Sequence, residues 1–173
     1  MNALLQTPLQ ATLHQTLALQ RQAYFQQPVP TLAERQADLR TLQRFIRDHK
    51  QALCDAISAD YGHRSQHETL LTEIGPALAS IRHTRSQLGE WMKPQRRRVD
   101  RLSYGLGSNR VVAQPLGVVG VIVPWNFPIN LSLVPLACIF AAGNRAMVKM
   151  SENSRHVAAL LIERMPAYFP PEK

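Results

Sequence analysis

The sequence predicts an α/β protein in which an amino-terminal helical pair leads into one βαβ unit. Three observations carry that reading. Residues 118–123 (Val-Val-Gly-Val-Ile-Val) form a short apolar, β-branched run, the pattern of a strand buried on both faces, and Pro124 ends it. Residues 127–142 form a charge-free segment of helix length closed by Gly143-Asn144, a strong helix stop. Residues 146–149 (Ala-Met-Val-Lys) form a second short strand. In open α/β sheets ligands collect beyond the carboxyl ends of parallel strands. Those ends carry Trp125 and Asn126 on one side and Lys149, Ser151 and Glu152 on the other.

Taken in order, residues 1–27 are Gln-rich with Leu9, Leu13, Leu17 and Tyr24 at helical spacing, which predicts a peripheral helix. Pro28-Val-Pro30 interrupts it. Thr31-x-x-Glu34 is a capping box opening a helix. Leu32, Leu39, Leu42, Ile46, Leu53 and Ile57 then share one face, as far as the stop at Tyr61-Gly62. Ser65-x-x-Glu68 repeats the capping-box pattern. Leu70, Leu71, Ile74, Leu78, Ile81, Leu88 and Met92 mark a second amphipathic helix, bent at Gly75-Pro76. Pro94 closes the pair. Residues 102–107 read as a loose connection and residues 109–114 as a further strand. The expected divisions are a peripheral segment 1–30, a helical part 31–93, a basic linker with an extended strand 94–114, and the βαβ region 115–173.

Length and composition narrow the class. A chain of 173 residues with 45% hydrophobic residues can bury a core and is not of disordered composition. The net charge of +8 invites a nucleic-acid reading. Its one dense cluster, Lys93, Arg96, Arg97, Arg98 and Arg101, has aromatic residues only at its margins (Trp91 and Tyr104), so a solvated linker is favoured and no nucleic-acid partner is expected. Residues 111–144 lack Asp, Glu, Lys, Arg and His, and the stretch is long enough to span a bilayer. Pro115, Pro124, Pro128 and Pro135 with Asn126 and Asn130 divide it into strand- and helix-length pieces, so a buried core is expected rather than a membrane segment. The two cysteines, Cys54 and Cys138, fall in helical contexts and are expected as small core residues. No secretory signal opens the sequence, and a reducing cytoplasm is the expected compartment.

Asn126 is the first candidate for chemistry. A buried carboxamide can donate to an oxygen gaining negative charge, and such a preorganised donor contributes ~2.7–4 kcal/mol to a transition state. The alternative is that Asn126 caps the helix starting near Phe127, a position that favours Asn. Lys149 and Glu152 come next: an ammonium at a strand exit can donate to sugar hydroxyls, and a carboxylate three residues on can accept from them. The alternative is a surface Lys–Glu pair with Ser151 as the N-cap of the following helix. The phosphate-binding pattern G-x-G-x-x-G is absent. His63 and His67 have a metal-like spacing but no third ligand beside them, so no metal is expected.

Gly117-Val-Val-Gly-Val-Ile-Val-Pro-Trp-Asn-Phe-Pro128, the charge-free helix, Gly143-Asn144 and Lys149-x-Ser151-Glu152 together resemble the coenzyme domain of the aldehyde dehydrogenase superfamily. The stretches 60–74 and 92–99 look most like its coniferyl aldehyde dehydrogenase branch, and the resemblance covers about residues 31–170. Met150 departs from the family's usual Pro at that position.

The resemblance implies the first part of a Rossmann-like NAD(P)-binding domain, an incomplete aldehyde dehydrogenase fold, so the chain is expected to be an amino-terminal fragment. It implies oxidation of an aldehyde, aromatic as in coniferaldehyde, to the carboxylic acid through a thiohemiacetal. A Cys thiolate attacks the aldehyde, Asn126 holds the oxyanion, hydride passes to the cofactor, and a Glu activates water. The cofactor contacts it implies come from Ile122, Pro124, Trp125, Lys149, Ser151 and Glu152, with Lys149 and Glu152 on the adenosine ribose. Glu152 would repel a 2′-phosphate, which leans toward NAD, with NADP allowed. A homodimer is implied for the full-length enzyme, the extended segment 109–114 joining a sheet that runs between subunits. Neither the family's catalytic Cys, in a Gly-Gln-x-Cys context, nor its Glu is found in this sequence, so the fragment alone is expected to be inactive. A different class also stays open: a non-catalytic binding or assembly module made of the helical pair and one βαβ unit.

Overall fold

The computed structural model describes residues 8–173. Helix α1 (Pro8–Gln26) lies against the small sheet and is tied to it by hydrogen bonds. Buried Gln20 donates to the Ala146 carbonyl at 3.0 Å, and the Tyr24 hydroxyl donates to the Pro115 carbonyl at 3.2 Å. The expected apolar stripe is only partly used: Leu17 is half-buried, Leu13 is exposed, and the Leu9 side chain lies outside the described residues.

Thr31 caps α2 (Leu32–Asp48) with a complete capping box. The Thr31 Oγ1 accepts from the Glu34 amide at 3.3 Å, and Glu34 Oε2 accepts from the Thr31 amide at 2.7 Å. Leu39, Leu42, Phe45 and Ile46 are buried, while Leu32, at the outermost turn, is exposed. The long helix expected from the apolar spacing is broken at His49 (φ −109°, ψ 16°), after which α3 (Lys50–Tyr61) begins. At the break the His49 ring packs on Phe45 and Tyr168, with centroids 5.0 and 5.7 Å away. Gly62, at φ 88°, ends α3 in a conformation other residues resist.

The second expected helix also differs in detail. A short turn α4 (Gln66–Thr69) leads through a π-helical turn (Leu70–Ile74) into α5 (Gly75–Trp91). Pro76 has no N–H to continue an α ladder, and the wide turn accommodates it where a bend was expected. The wide turn shifts the phase of the apolar face: Leu71 is 78% exposed, whereas Glu73 is fully buried. The second capping box does not form. Ser65 makes no side-chain cap, and Glu68 instead pairs with Arg64 at 3.2 Å.

The basic segment is a hairpin: β1 (Gln95–Arg97) pairs antiparallel with β2 (Asn109–Val111). The connection expected to be loose contains a helical turn, α6 (Arg101–Tyr104), capped by Asp100, whose Oδ1 accepts from the Leu102 amide at 3.0 Å.

The βαβ unit consists of β3 (Val118–Ile122), α7 (Asn130–Ala141) and β4 (Arg145–Lys149), the strands parallel with Ile122 opposite Lys149. Gly143, at φ 83°, ends the crossover helix. Buried Asn144 ties the two strand starts together, its Oδ1 accepting from the Leu116 and Gly117 amides at 2.5 and 2.9 Å. Burial of the strands on both faces, as expected from their composition, is not what the described residues show. Val119 and Val121 pack on the core, but Ile122 is 84% exposed and Val148 is exposed. Cys54 is in the core as expected; Cys138 is exposed on the outer side of α7, because Ala137 and Ile139 take the inward positions. The core joins α2, α3, α5, α7 and α8 (Arg155–Arg164) through residues such as Phe45, Ile57, Ile81, Leu133, Phe140 and Val157. No helix of the described residues is long and apolar enough to cross a membrane.

Candidate active site

Both strand exits open on the same end of the parallel pair, since the Val123 amide donates to the Lys149 carbonyl at 2.9 Å. Every residue singled out from the sequence for a site lies there. Ile122, Pro124, Trp125 and Asn126 leave β3 exposed; Lys149, Ser151 and Glu152 leave β4, with Ser151 half-buried and the other two exposed.

Asn126 is not the buried carboxamide expected from the sequence; it is exposed. It also does not cap α7. The first amides of that helix are capped from elsewhere: Glu73 Oε2 accepts from the Ile129 and Asn130 amides at 2.7 and 3.2 Å. An anion at a helix amino terminus is doubly favoured, by the free N–H groups and by the helix dipole. With capping done by Glu73, the Asn126 carboxamide makes no hydrogen bond among the described residues and is free to donate outward.

The Asn126 main chain, by contrast, is held. The Tyr61 hydroxyl lies 2.8 Å from the Trp125 carbonyl and 2.6 Å from that of Asn126, donating its proton to the pair. Arg64 Nη1 reaches the Asn126 carbonyl at 3.4 Å and Glu73 Oε1 at 3.0 Å, while its Nη2 donates to Thr72 Oγ1 at 3.1 Å. The guanidinium lies over both the Tyr61 ring (4.9 Å) and the Phe127 ring (5.1 Å), as suits a planar cation. Burial pushes the Glu73 carboxyl above the ordinary carboxylate range, against the pull of the Asn130 and Ile129 amides and Arg64. Burial likewise raises the Tyr61 phenol, which keeps it a donor at neutral pH. These three residues were not singled out from the sequence as site residues. The only hint was that Glu73 and Arg64 are charges beside an apolar helical face, a pattern a solvated face also gives.

The second exit is built differently. Lys149 Nζ and Glu152 Oε1 form an ion pair with both side chains exposed, and the Lys149 contact holds the Glu152 carboxyl below its usual range. Ser151 does not cap α8. Its Oγ accepts from the Asn153 amide at 3.3 Å, and Asp60, from the end of α3, accepts from the His156 and Val157 amides at 2.8 and 3.1 Å. Lys149, Ser151, Glu152 and Arg155 rim a groove of about 910 Å³ whose walls include Leu133, Met150 and Ile162. Apolar walls can take a flat ring, and an ammonium, a hydroxyl and a carboxylate at the edge can donate to and accept from hydroxyl groups.

Neither cysteine is placed as a nucleophile in this end of the sheet. Cys54 is buried and its thiol is pushed up by burial, and Cys138 lies on α7 away from both exits.

Comparison with known proteins gives the chain a family. The aldehyde dehydrogenase family profile matches residues 10–172. A Pseudomonas aeruginosa protein named as a probable coniferyl aldehyde dehydrogenase is 46% identical over 156 residues, covering 90% of this chain and 33% of its own length. The coniferyl aldehyde dehydrogenase of a Pseudomonas species is 42% identical over 149 residues, covering 86% of this chain and 30% of its own. Among solved structures, the substrate-bound state of Staphylococcus aureus AldH superposes with a TM-score of 0.86 at 26% identity, over 92% of this chain and 34% of that one. PnpE in complex with nicotinamide adenine dinucleotide superposes with a TM-score of 0.77 at 26% identity, over 94% of this chain and 32% of its own. The chain thus spans about a third of the length of the relatives it matches. With the profile running through nearly all of its residues, the chain belongs to the aldehyde dehydrogenase family.

Proposed function

We propose that these residues supply the oxyanion donor and the ribose grip of an enzyme that oxidises an aldehyde to the carboxylic acid with NAD, NADP being the weaker partner. The observation that carries the proposal is the exposed Asn126 carboxamide at the same end of one parallel strand pair as the Lys149–Glu152 pair. Nearly half-identity to a probable coniferyl aldehyde dehydrogenase supports an aromatic aldehyde as substrate.

In this reading Asn126 Nδ2 donates to the aldehyde oxygen as a thiolate adds to the carbonyl carbon, so the negative charge grows against a fixed dipole rather than in reorganising water. Lys149 donates to the ribose hydroxyls and Glu152 accepts from them, once their mutual contact opens. Ile122, Pro124 and Trp125, exposed where β3 ends, give the cofactor an apolar surface to lie along. A nicotinamide cofactor bound here would supply the hydride acceptor that the oxidation needs. The attacking thiolate and the base that activates water are assigned to residues outside this sequence, since Cys54 is buried and Cys138 faces away.

The test is product stoichiometry in the full-length protein. Coniferaldehyde and NAD should give the acid and reduced cofactor one to one, faster than a short aliphatic aldehyde does. Absence of cofactor reduction with every aldehyde tried rejects the activity; preference for the aliphatic compound rejects only the substrate.

A further inference from the structure

We propose that Tyr61, Arg64 and Glu73 are positioning residues that hold Asn126 ready for the oxyanion; this rests on the role proposed for Asn126 above. The starting point is a contrast within one residue. The Asn126 side chain is exposed and makes no hydrogen bond among the described residues, so no described side chain aims it directly. What these residues do hold is the backbone beneath it. That backbone is fastened at consecutive carbonyls: Trp125 O by the Tyr61 hydroxyl at 2.8 Å, and Asn126 O by the same hydroxyl at 2.6 Å and by Arg64 at 3.4 Å.

The fastening is itself anchored. Arg64, with a side chain only 5% exposed, is oriented by Glu73 and Thr72 and by the Phe127 ring next to Asn126 in the chain. Glu73 reaches past it with its second oxygen to the Ile129 and Asn130 amides. One buried carboxylate therefore ties both flanks of Asn126, the guanidinium on one side and the start of α7 on the other. A donor misplaced by a fraction of an ångström loses much of its effect on a developing charge, which is what such an arrangement prevents. A purely structural cluster would need only to fill space and neutralise charge. Here the phenol and guanidinium converge on the two carbonyls adjoining the candidate donor.

The experiment is a double-mutant cycle on the acylation rate constant of the full-length enzyme, with Tyr61→Phe, Asn126→Ala and the pair. Tyr61→Phe keeps the ring under Arg64 and removes only the shared donor. It should slow acylation about tenfold while leaving aldehyde KM and NAD Kd within about twofold. In the Asn126→Ala background the same change should have almost no further effect, because the clamp acts through the carboxamide. An equal drop in both backgrounds, or no drop in either, overturns the clamp and leaves Asn126 its role. If Asn126→Ala alone leaves acylation unchanged, the functional reading falls and the clamp falls with it. Arg64→Lys, which keeps the charge facing Glu73 but loses the fork, repeats the cycle should melting show that Tyr61→Phe is unfolded.

Discussion

At the exit of β3 the Trp125 and Asn126 carbonyls are gripped by half-buried Tyr61 and by Arg64, which buried Glu73 backs, whereas at the neighbouring exit of β4 Lys149 and Glu152 grip only each other, 58% and 78% exposed. The difference follows the tasks proposed for the two corners. A donor that must meet charge as it develops gains nothing from freedom, because reorganisation at that moment adds to the barrier. A pair that receives hydroxyl groups has to exchange partners. An exposed ion pair, worth little in water, separates at little cost. The buried corner is stiff, and the exposed corner is exchangeable.

The largest effect that would break this contrast is at Glu73. Glu73→Ala leaves a buried guanidinium with only the exposed Glu68 carboxylate as counter-charge and two α7 amides without an acceptor, and should cost ~3–5 kcal/mol of stability in a denaturant titration. A loss no greater than that of an ordinary surface substitution would show that the corner is not held as described. Next comes Asn126→Ala, which should slow the chemical step by roughly 10²–10³ with NAD affinity nearly intact. Turnover unchanged under acylation-limited conditions would remove the carboxamide from the mechanism. Glu152→Gln should weaken NAD about tenfold while NADP is weakened less or gains, and the unfolding midpoint should not move measurably. Equal losses for both cofactors would mean that Glu152 does not face the 2′ position.

The smallest effect concerns a carboxylate outside both corners. Glu34 is held down to about 2, first by the Thr31 hydroxyl and then by Gln27. A depressed folded pKa stabilises the fold above the ordinary carboxylate range, and this contribution is lost as pH falls through that lower value. An NMR titration of the Glu34 carboxyl should show a midpoint near the depressed value, moving up in Thr31→Val. An ordinary midpoint in the unsubstituted protein would mean that the capping box is frayed in solution.

What could be read from the sequence was local. The Thr31–Glu34 box and the Gly62 and Gly143 stops each depend on residues a few positions apart, and the parallel strand pair on a single crossover helix between two short apolar runs; each formed. The same local logic misled at Ser65, where Glu68 found a better partner in the preceding residue, Arg64. The sequence places Asn126 just past a strand end, but that the start of α7 is capped from elsewhere depends on Glu73, more than fifty residues upstream. Nothing in the spacing of Tyr61, Arg64 and Glu73 reveals that their polar atoms converge on carbonyls beyond β3. The broken phase of the Leu70–Ile74 turn was hidden as well, because leucine at position 71 satisfies an amphipathic pattern while the actual backbone turns it outward.

That turn makes the corner sensitive to chain length as much as to chemistry. A helix is a screw, and one residue gained or lost advances everything beyond it by about 100°. The five residues of Leu70–Ile74 close on a bond from the Gly75 amide to the Leu70 carbonyl, and a methyl group at Gly75 would sit 2.9 Å from that oxygen. Deleting a single residue there would thread the screw back to its regular pitch and swing the Glu73 carboxylate off the start of α7, with every residue at the strand exits unchanged. Among homologous sequences, a one-residue gap at this point would therefore mark proteins that hold their asparagine by other means, a distinction that inspection of the Pro-Trp-Asn-Phe-Pro segment alone would miss.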